Sequence, residues 1–155
     1  MDREQFTKEV LAAEKSLYYV AKSILPDDWD CADAMQNAIL AAYASLHTLR
    51  QEEYFKTWLT RILINECYKL LRERKPQVSY EEYMERETAS SEMTSGVFLE
   101  VQKLKEIYRV PFVLHYIEGY QTKEIAEMLH TTEGNIKTRL YRGRNILKER
   151  LKGVS

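Results

Sequence analysis

Apolar residues recur along this chain at the three-and-four spacing of an α-helix, in blocks parted by short polar breaks. In residues 5–25, QFTKEVLAAEKSLYYVAKSIL, the side chains of Phe6, Val10, Leu17, Ala21 and Ile24 fall on one stripe. PDDWD interrupts that stripe. A second helix is predicted from about Cys31 to His47, with Ala34, Ala38, Ala41 and Leu46 available for close packing. TLRQEEY is a short polar break. A third helix, FKTWLTRILINECYKLLRER, runs to Arg74, because Pro76 forbids its continuation. From Pro76 to Gly96 no apolar period lasts; the segment reads as a linker with a helical turn around Glu81–Arg86. VFLEVQKLKEIYRVPFVLHYIEG then makes one or two apolar helices, with Pro111 in a first turn or at a kink. TKEIAEMLH, a break at Thr131–Thr132 and a basic helix complete the chain. The pattern predicts an all-α protein: two small helical domains, 1–75 and 97–155, joined by the linker 76–96.

Composition agrees with helices. Only 5 Gly and 3 Pro in 155 residues argue against a turn-rich β fold, and the hydrophobic share of 45% is normal for a soluble globular protein. No apolar run approaches the roughly 18 residues of a membrane span, and no secretion signal opens the chain. Cys31 and Cys67 stand apart without a CxxC, and the His residues are scattered at 47, 115 and 130. No metal site or cofactor is expected, and a reducing cytoplasm is the natural setting.

Charge changes the picture once it is divided along the chain. Residues 1–75 hold 11 basic and 12 acidic groups, residues 76–96 hold 1 and 5, and residues 97–155 hold 11 and 7. The net of −1 therefore conceals an acidic linker and a basic C-terminal part. Positions 137, 139, 142, 144, 148, 150 and 152 are all Lys or Arg, against Glu149 alone.

Gly119, then a helix with Ile125, Ala126 and Leu129, a short turn, and a helix with Ile136 and Leu140 have helix-turn-helix spacing. Ile136, Leu140, Gly143 and Leu147 share one face of the last helix. Thr138, Tyr141 and Arg142 lie opposite, flanked by Lys137 and Arg139. Cations off the packing face suit a helix entering a major groove. Asn135 and Lys137 come early enough for base contact, and Arg142 and Arg144 fit the phosphate backbone. A solvated basic surface helix is the bland alternative; the paired helices and the one-sided charge favour DNA.

The third helix carries a second candidate surface. Leu59, Leu63, Cys67, Leu70 and Leu71 fall on one side, and Trp58, Arg61, Asn65, Tyr68, Lys69 and Arg72 on the other. Aromatics mixed with an amide and cations suit unstacked bases. Taken alone, these residues better suit an ordinary surface whose aromatics pack on neighbouring helices, Trp58 above all.

DCADAMQNAILAAYASLHTLRQEEYFKTWLTRILINECYKLLRERK resembles the N-terminal core of an extracytoplasmic-function (ECF) sigma factor, where a DAEDAVQEAF-like helix precedes F-x-TWL-x-x-I-x-x-N. LKEIYRVPFVLHYIEGYQTKEIAEMLHTTEGNIKTRLYRGRNILKE is similar to that family's fourth region, of the form GLSYEEIAEILGVPVGTVKSRLHRAREKL. The two cover most of the chain in the family's order. The resemblance implies a cytoplasmic bacterial subunit that binds core RNA polymerase, through the clamp helices of its largest subunit and the beta flap, and promoter DNA. Many members are held by an anti-sigma factor, often membrane-bound.

By the same resemblance, Asp33, Gln36, Asn37 and Leu40 lie on the polymerase-docking helix. Leu49 and Arg50 fall in the loop that captures a flipped −10 base. Phe55, Lys56, Thr57, Trp58, Arg61, Asn65, Lys69 and Arg72 belong to the adjoining strand-opening surface. Thr132, Gly134, Asn135, Lys137, Thr138, Arg139, Tyr141, Arg142 and Arg144 match the helix that reads the −35 element. The linker matches the segment that threads toward the RNA exit path. The chain departs from the pattern at Ala32 and Asn37, where acids are usual, at Lys69, and at Lys105 in place of Pro. Gln121 replaces a Ser N-cap, leaving Thr122 to cap at a stake of ~1 kcal/mol.

Such a protein works by binding, not covalent chemistry. Two other classes make different demands. A dimeric helix-turn-helix regulator would bind palindromes without polymerase. A nucleic-acid enzyme would need a nucleophile or paired metal-binding carboxylates; Asp27, Asp28, Asp30 and Asp33 cluster, but at a helix start, where carboxylates favour the macrodipole.

Overall fold

The computed structural model describes residues 1–73 and 96–153, which form seven α-helices, two short 3₁₀ turns and one π-helical segment, with no strand among the described residues. The chain divides into two units, Met1–Arg86 and Glu87–Ser155. The linker expected over 76–96, with its turn at Glu81–Arg86, lies outside the described residues except for Gly96.

Unit 1 is a three-helix bundle of α1 (Arg3–Ile24), α2 (Asp28–Ala44) and α3 (Phe55–Glu73), each packed on the other two. Asp2 caps α1, its carboxylate accepting from the Gln5 N–H at 2.8 Å. Phe6, Val10, Leu17, Ala21 and Ile24 are buried as their spacing predicts, and the last turn is buried all round, Lys22 included. That ammonium donates to the Pro26 carbonyl at 2.7 Å and pairs with Asp28 at 3.0 Å. The Tyr18 hydroxyl donates to the same carboxylate oxygen at 2.9 Å. A buried cation is tolerated only when so partnered, and the network pins the α1–α2 turn. Burial, then the Asp28 hydrogen bond, pushes the Tyr18 phenol up.

PDDWD is thus less of a break than expected. Asp27 caps α2 by accepting from the Trp29 N–H at 2.8 Å, so the helix starts at Asp28, three residues before Cys31. Cys31, Ala34, Ala38 and Ala42 are fully buried, and these small side chains let α1 and α3 approach closely. Ala42, not Ala41, completes the stripe, and Leu46 is only half-buried in a 3₁₀ turn (Leu46–Thr48) beyond the end of α2. In α3 the buried arc is Phe55, Leu59, Thr60, Leu63, Ile64 and Cys67, wider than the predicted stripe because two helices cover it. Leu70 is half-buried and Leu71 is exposed, one turn past that cover.

Unit 2 holds α4 (Gly96–Gln102), α5 (Glu106–Phe112), a π-helical segment (Val113–Ile117), α6 (Thr122–Met128) and α7 (Glu133–Leu151). Pro111 sits inside α5, where its missing N–H breaks the ladder, and the chain widens directly afterwards into π geometry. The Glu118 N–H reaches back to the Val113 carbonyl at 3.0 Å. Gly119, at φ 79°, then ends the run in the left-handed region that glycine occupies without strain. Val101, Leu104, Val113 and Leu147 form the centre of the core, packed by Tyr108, Phe112, Ile117 and Ile146.

Candidate nucleic-acid interface

The helix-turn-helix of unit 2 is α6 and α7. Ile125 and Ala126 of α6 are buried with Ile136, Leu140, Gly143 and Leu147 of α7, as the wheel predicted. The turn between them is a Schellman ending: the Thr131 N–H bonds to the Ala126 carbonyl at 2.9 Å and the His130 N–H to the Glu127 carbonyl at 3.4 Å. His130 stands at the left-handed position, φ 55°, where a side chain is strained. Thr132 then caps α7, its hydroxyl accepting from the Asn135 N–H at 3.1 Å. The start of α6 is held otherwise than expected. The Glu124 carboxylate accepts from the Gln121 N–H at 3.0 Å, while Thr122, the anticipated cap, donates instead to Glu133 Oε1 at 2.8 Å. That bond ties the first residues of the two helices together.

With one face of α7 sunk into the core, its other residues have fixed places. Thr132, Gly134, Asn135, Lys137, Thr138, Tyr141, Arg142 and Arg144 are exposed, and Arg139 is half-buried. Several are already engaged. The Asn135 amide donates to Thr131 Oγ1 at 2.9 Å, and the Thr138 hydroxyl donates to the Gly134 carbonyl at 3.0 Å. Lys137 Nζ lies 3.6 Å from Glu133 Oε1. Arg144 donates to the Tyr116 hydroxyl, and its guanidinium sits 6.0 Å over that ring. Arg144 is therefore held on the flank by the π segment and Lys137 is paired with Glu133, while Arg142 stands exposed in the middle of the helix. The Glu133 carboxyl is held below its ordinary range, first by the Thr122 hydroxyl and then by the Lys137 charge.

Unit 1 presents two surfaces. On α2, Asp33, Gln36, Asn37 and Leu40 are all exposed. Trp29, Asp33, Gln36, Leu40 and Tyr43 follow one another at alternating steps of four and three, a continuous stripe along the helix. Trp29 is 78% and Leu40 69% exposed, unusual for such side chains on a capped, rigid helix. Sequence reasoning missed Trp29 and Tyr43. The signal was there: Trp29, Leu40 and Tyr43 fall, with Asp33 and Gln36 between them, on the side opposite the buried alanines.

On α3, Lys56, Arg61, Asn65, Lys69 and Arg72 are exposed and Trp58 and Tyr68 half-buried. Phe55, expected on the strand-opening surface, is a core residue at 2% exposure. Its ring packs edge-on to Phe6, centroids 5.6 Å apart, and supports the Trp58 ring at 5.9 Å. Phe6 in turn packs on Tyr43 at 5.2 Å. A chain of aromatic contacts thus links the two surfaces of unit 1. Leu49 is half-buried and Arg50 exposed between the 3₁₀ turns Leu46–Thr48 and Glu52–Tyr54. No group of three or more metal-ligating side chains gathers among the described residues, and no helix of theirs is long and apolar enough to cross a membrane.

The fold is that of a helical protein of two units, one of them carrying a helix-turn-helix. Residues 10–77 match the family model described as Sigma-70 region 2, and residues 99–147 that described as Sigma-70, region 4. The ECF RNA polymerase sigma factor SigW of Bacillus subtilis is 28% identical, over 99% of this chain and 92% of its own. The RNA polymerase sigma factor SigV of the same organism is 27% identical over 97% and 96%. The sigma factor RpoE of Bartonella quintana, solved with the anti-sigma factor NepR, has the same fold, with a TM-score of 0.77 at 23% identity over 98% of this chain and 99% of that one. The chain belongs to the sigma-70 family, among its ECF sigma factors.

Proposed function

We propose that this protein joins core RNA polymerase, carries it to promoters through −35 contacts of α7, and opens the −10 element with the surface of α3 and the loop before it. The observation that carries the reading is a contrast of exposed faces. Unit 1 exposes Trp29, Leu40 and Tyr43 in a helical stripe, while unit 2 exposes Lys137 and Arg142 on a helix whose opposite face is core. A stripe with steps of four and three fits a partner helix, as the polymerase clamp helices would provide. Cations on an exposed helix face fit duplex phosphates and groove edges. On α3 of unit 1, exposed Arg61, Asn65, Lys69 and Arg72, on the same helix as the propped Trp58 ring, offer charge and stacking to an unpaired strand. Leu49 and Arg50 border the same region and would hold a flipped base; such capture offsets a few kcal/mol of unstacking.

The protein acts by binding alone, in the cytoplasm where polymerase works, and polymerase performs the nucleotide chemistry. An anti-sigma factor, membrane-bound in some cases, is the natural partner in the resting state. A palindrome-binding dimer has less support, because the α2 stripe and the α3 surface would then have no task. Permanganate footprinting of holoenzyme on a selected promoter tests the assignment. Wild type should expose unpaired thymines at the −10 element. Asn65→Ala should keep the closed complex and lose most of that reactivity; equal reactivity in both would refute the role given to α3.

A further inference from the structure

Glu133 is the residue that the cationic reading of α7 leaves out. We propose that Glu133 and Lys137 act as one acceptor–donor pair that reads a single G·C base pair in the −35 duplex, the carboxylate on the cytosine amine and the ammonium on the guanine acceptors. The inference rests on α7 being the groove-entering helix and names what that helix recognises.

Position comes first. Glu133 is the first residue of α7 and Lys137 lies one turn on, at the end from which recognition helices reach base edges. A carboxylate here opposes phosphate binding, so it weakens a helix that only grips the backbone. It is an asset where the duplex presents a donor. In the major groove cytosine N4 is that donor, while guanine offers two acceptors, N7 and O6.

Geometry agrees. Glu133 Oε1 and Lys137 Nζ are 3.6 Å apart. Within a G·C pair, O6 and N4 are hydrogen-bonded to each other, hence about 2.9 Å apart. The side-chain pair and the base-pair edge thus have matching spacing and opposite polarity. An A·T pair offers its acceptor and donor in the reverse order, with the thymine methyl beside them.

The pair is also held ready. Thr122 of α6 donates to Oε1, while Lys137 at 3.6 Å is an ion-pair neighbour of that oxygen, so Oε1 keeps a lone pair for a base and the carboxylate stays 45% exposed. Lys137 is 66% exposed, and its three donors allow it to keep Glu133 and serve guanine at once. Ordering before binding reduces the entropy lost on the duplex.

The test uses the full chain with core polymerase on a promoter library randomised through the −35 element, with initiated transcripts sequenced. Wild type should favour one G·C pair at one −35 position by on the order of 10- to 100-fold. Glu133→Gln keeps the shape but removes the charge and adds a donor. It should relax that position alone toward A·T, because an amide pairs with adenine. Thr122→Val should weaken the same preference part-way with no change elsewhere. An unchanged profile in Glu133→Gln would overturn the proposal. So would a loss spread evenly over all positions, which marks a purely structural tie between α6 and α7. Failure of the wild type to select any promoter would instead overturn the sigma-factor reading on which this rests.

Discussion

Unit 1 and unit 2 expose surfaces made of different material. Unit 1 uses three long helices with a fully buried alanine stripe, and spends the rigidity on apolar groups left in solvent, Trp29 and Leu40 foremost. Unit 2 uses short helices, one broken by Pro111 and widened into π geometry, and a long last helix whose outer face is charged. The first surface suits another protein's helix and unstacked bases; the second suits a polyanion. A surface that must hold Trp and Leu in water needs a scaffold that does not collapse onto them, whereas a cationic face is solvated at no such risk.

Thiol chemistry breaks the comparison open most widely, because both cysteines belong to unit 1. Each is fully buried. Burial pushes the Cys31 thiol up to about 12, and raises Cys67 as well. Since the thiolate is the nucleophile, a disulfide reagent at pH 8 should label the native protein at least about 10³-fold more slowly than the unfolded chain. The sign for stability follows. A thiol raised in the fold contributes fully below its unfolded value of about 8.5, and the contribution falls as pH rises above it toward the folded value. Labelling against urea then reports unit 1 alone, and rapid native labelling would show a looser bundle than described.

Unit 2 is tested by charge. Lys137→Ala with Arg142→Ala should weaken binding to −35 duplex by roughly 10- to 100-fold and flatten the plot of log K against log salt by about one to two. A mutant with the wild-type slope would contradict the face assigned to α7. On the apolar side, Leu40→Ala should weaken association with core polymerase by about fivefold, as for an interface residue worth ~1 kcal/mol. Salt should barely change that loss, in contrast to the mutants of α7, and titration of labelled protein with core enzyme would measure it.

The smallest effects concern the backbone of unit 2. A Cβ on Gly143 would meet Tyr108 Cβ at 3.6 Å, an ordinary contact, within a helix interior. Gly143→Ala should therefore raise stability by ~0.5–1 kcal/mol. His130→Gly should add about as much by relieving the left-handed strain at φ 55°. Thermal melts of both variants check these values, and a fall in melting temperature for either would contradict the backbone argument.

The all-helical class, the buried stripes of α1 and α7 and the helix-turn-helix were legible because they follow from periodicity, which needs no knowledge of neighbours. What escaped depends on neighbours. Phe55 looks like part of an exposed aromatic motif until Phe6, far away in sequence, is found against it. Leu71 keeps the period of α3, yet it is exposed at the helix end. Arg144 shares the charge of its neighbours, and only the fold brings Tyr116 to it. Thr122 and Glu133 are separated by a whole helix and turn, so neither composition nor spacing reveals their bond. Trp29 and Tyr43 were readable, since they keep helical spacing on the face opposite the alanines.

The central claim, two surfaces that serve one polymerase, is tested most directly by adding the purified protein to core RNA polymerase and sequencing the 5′ ends of RNA made on fragmented bacterial genomic DNA. Transcripts should start at discrete sites preceded by one shared pair of −35 and −10 elements, and disappear without the protein. Starts as scattered as those of core enzyme alone would contradict it.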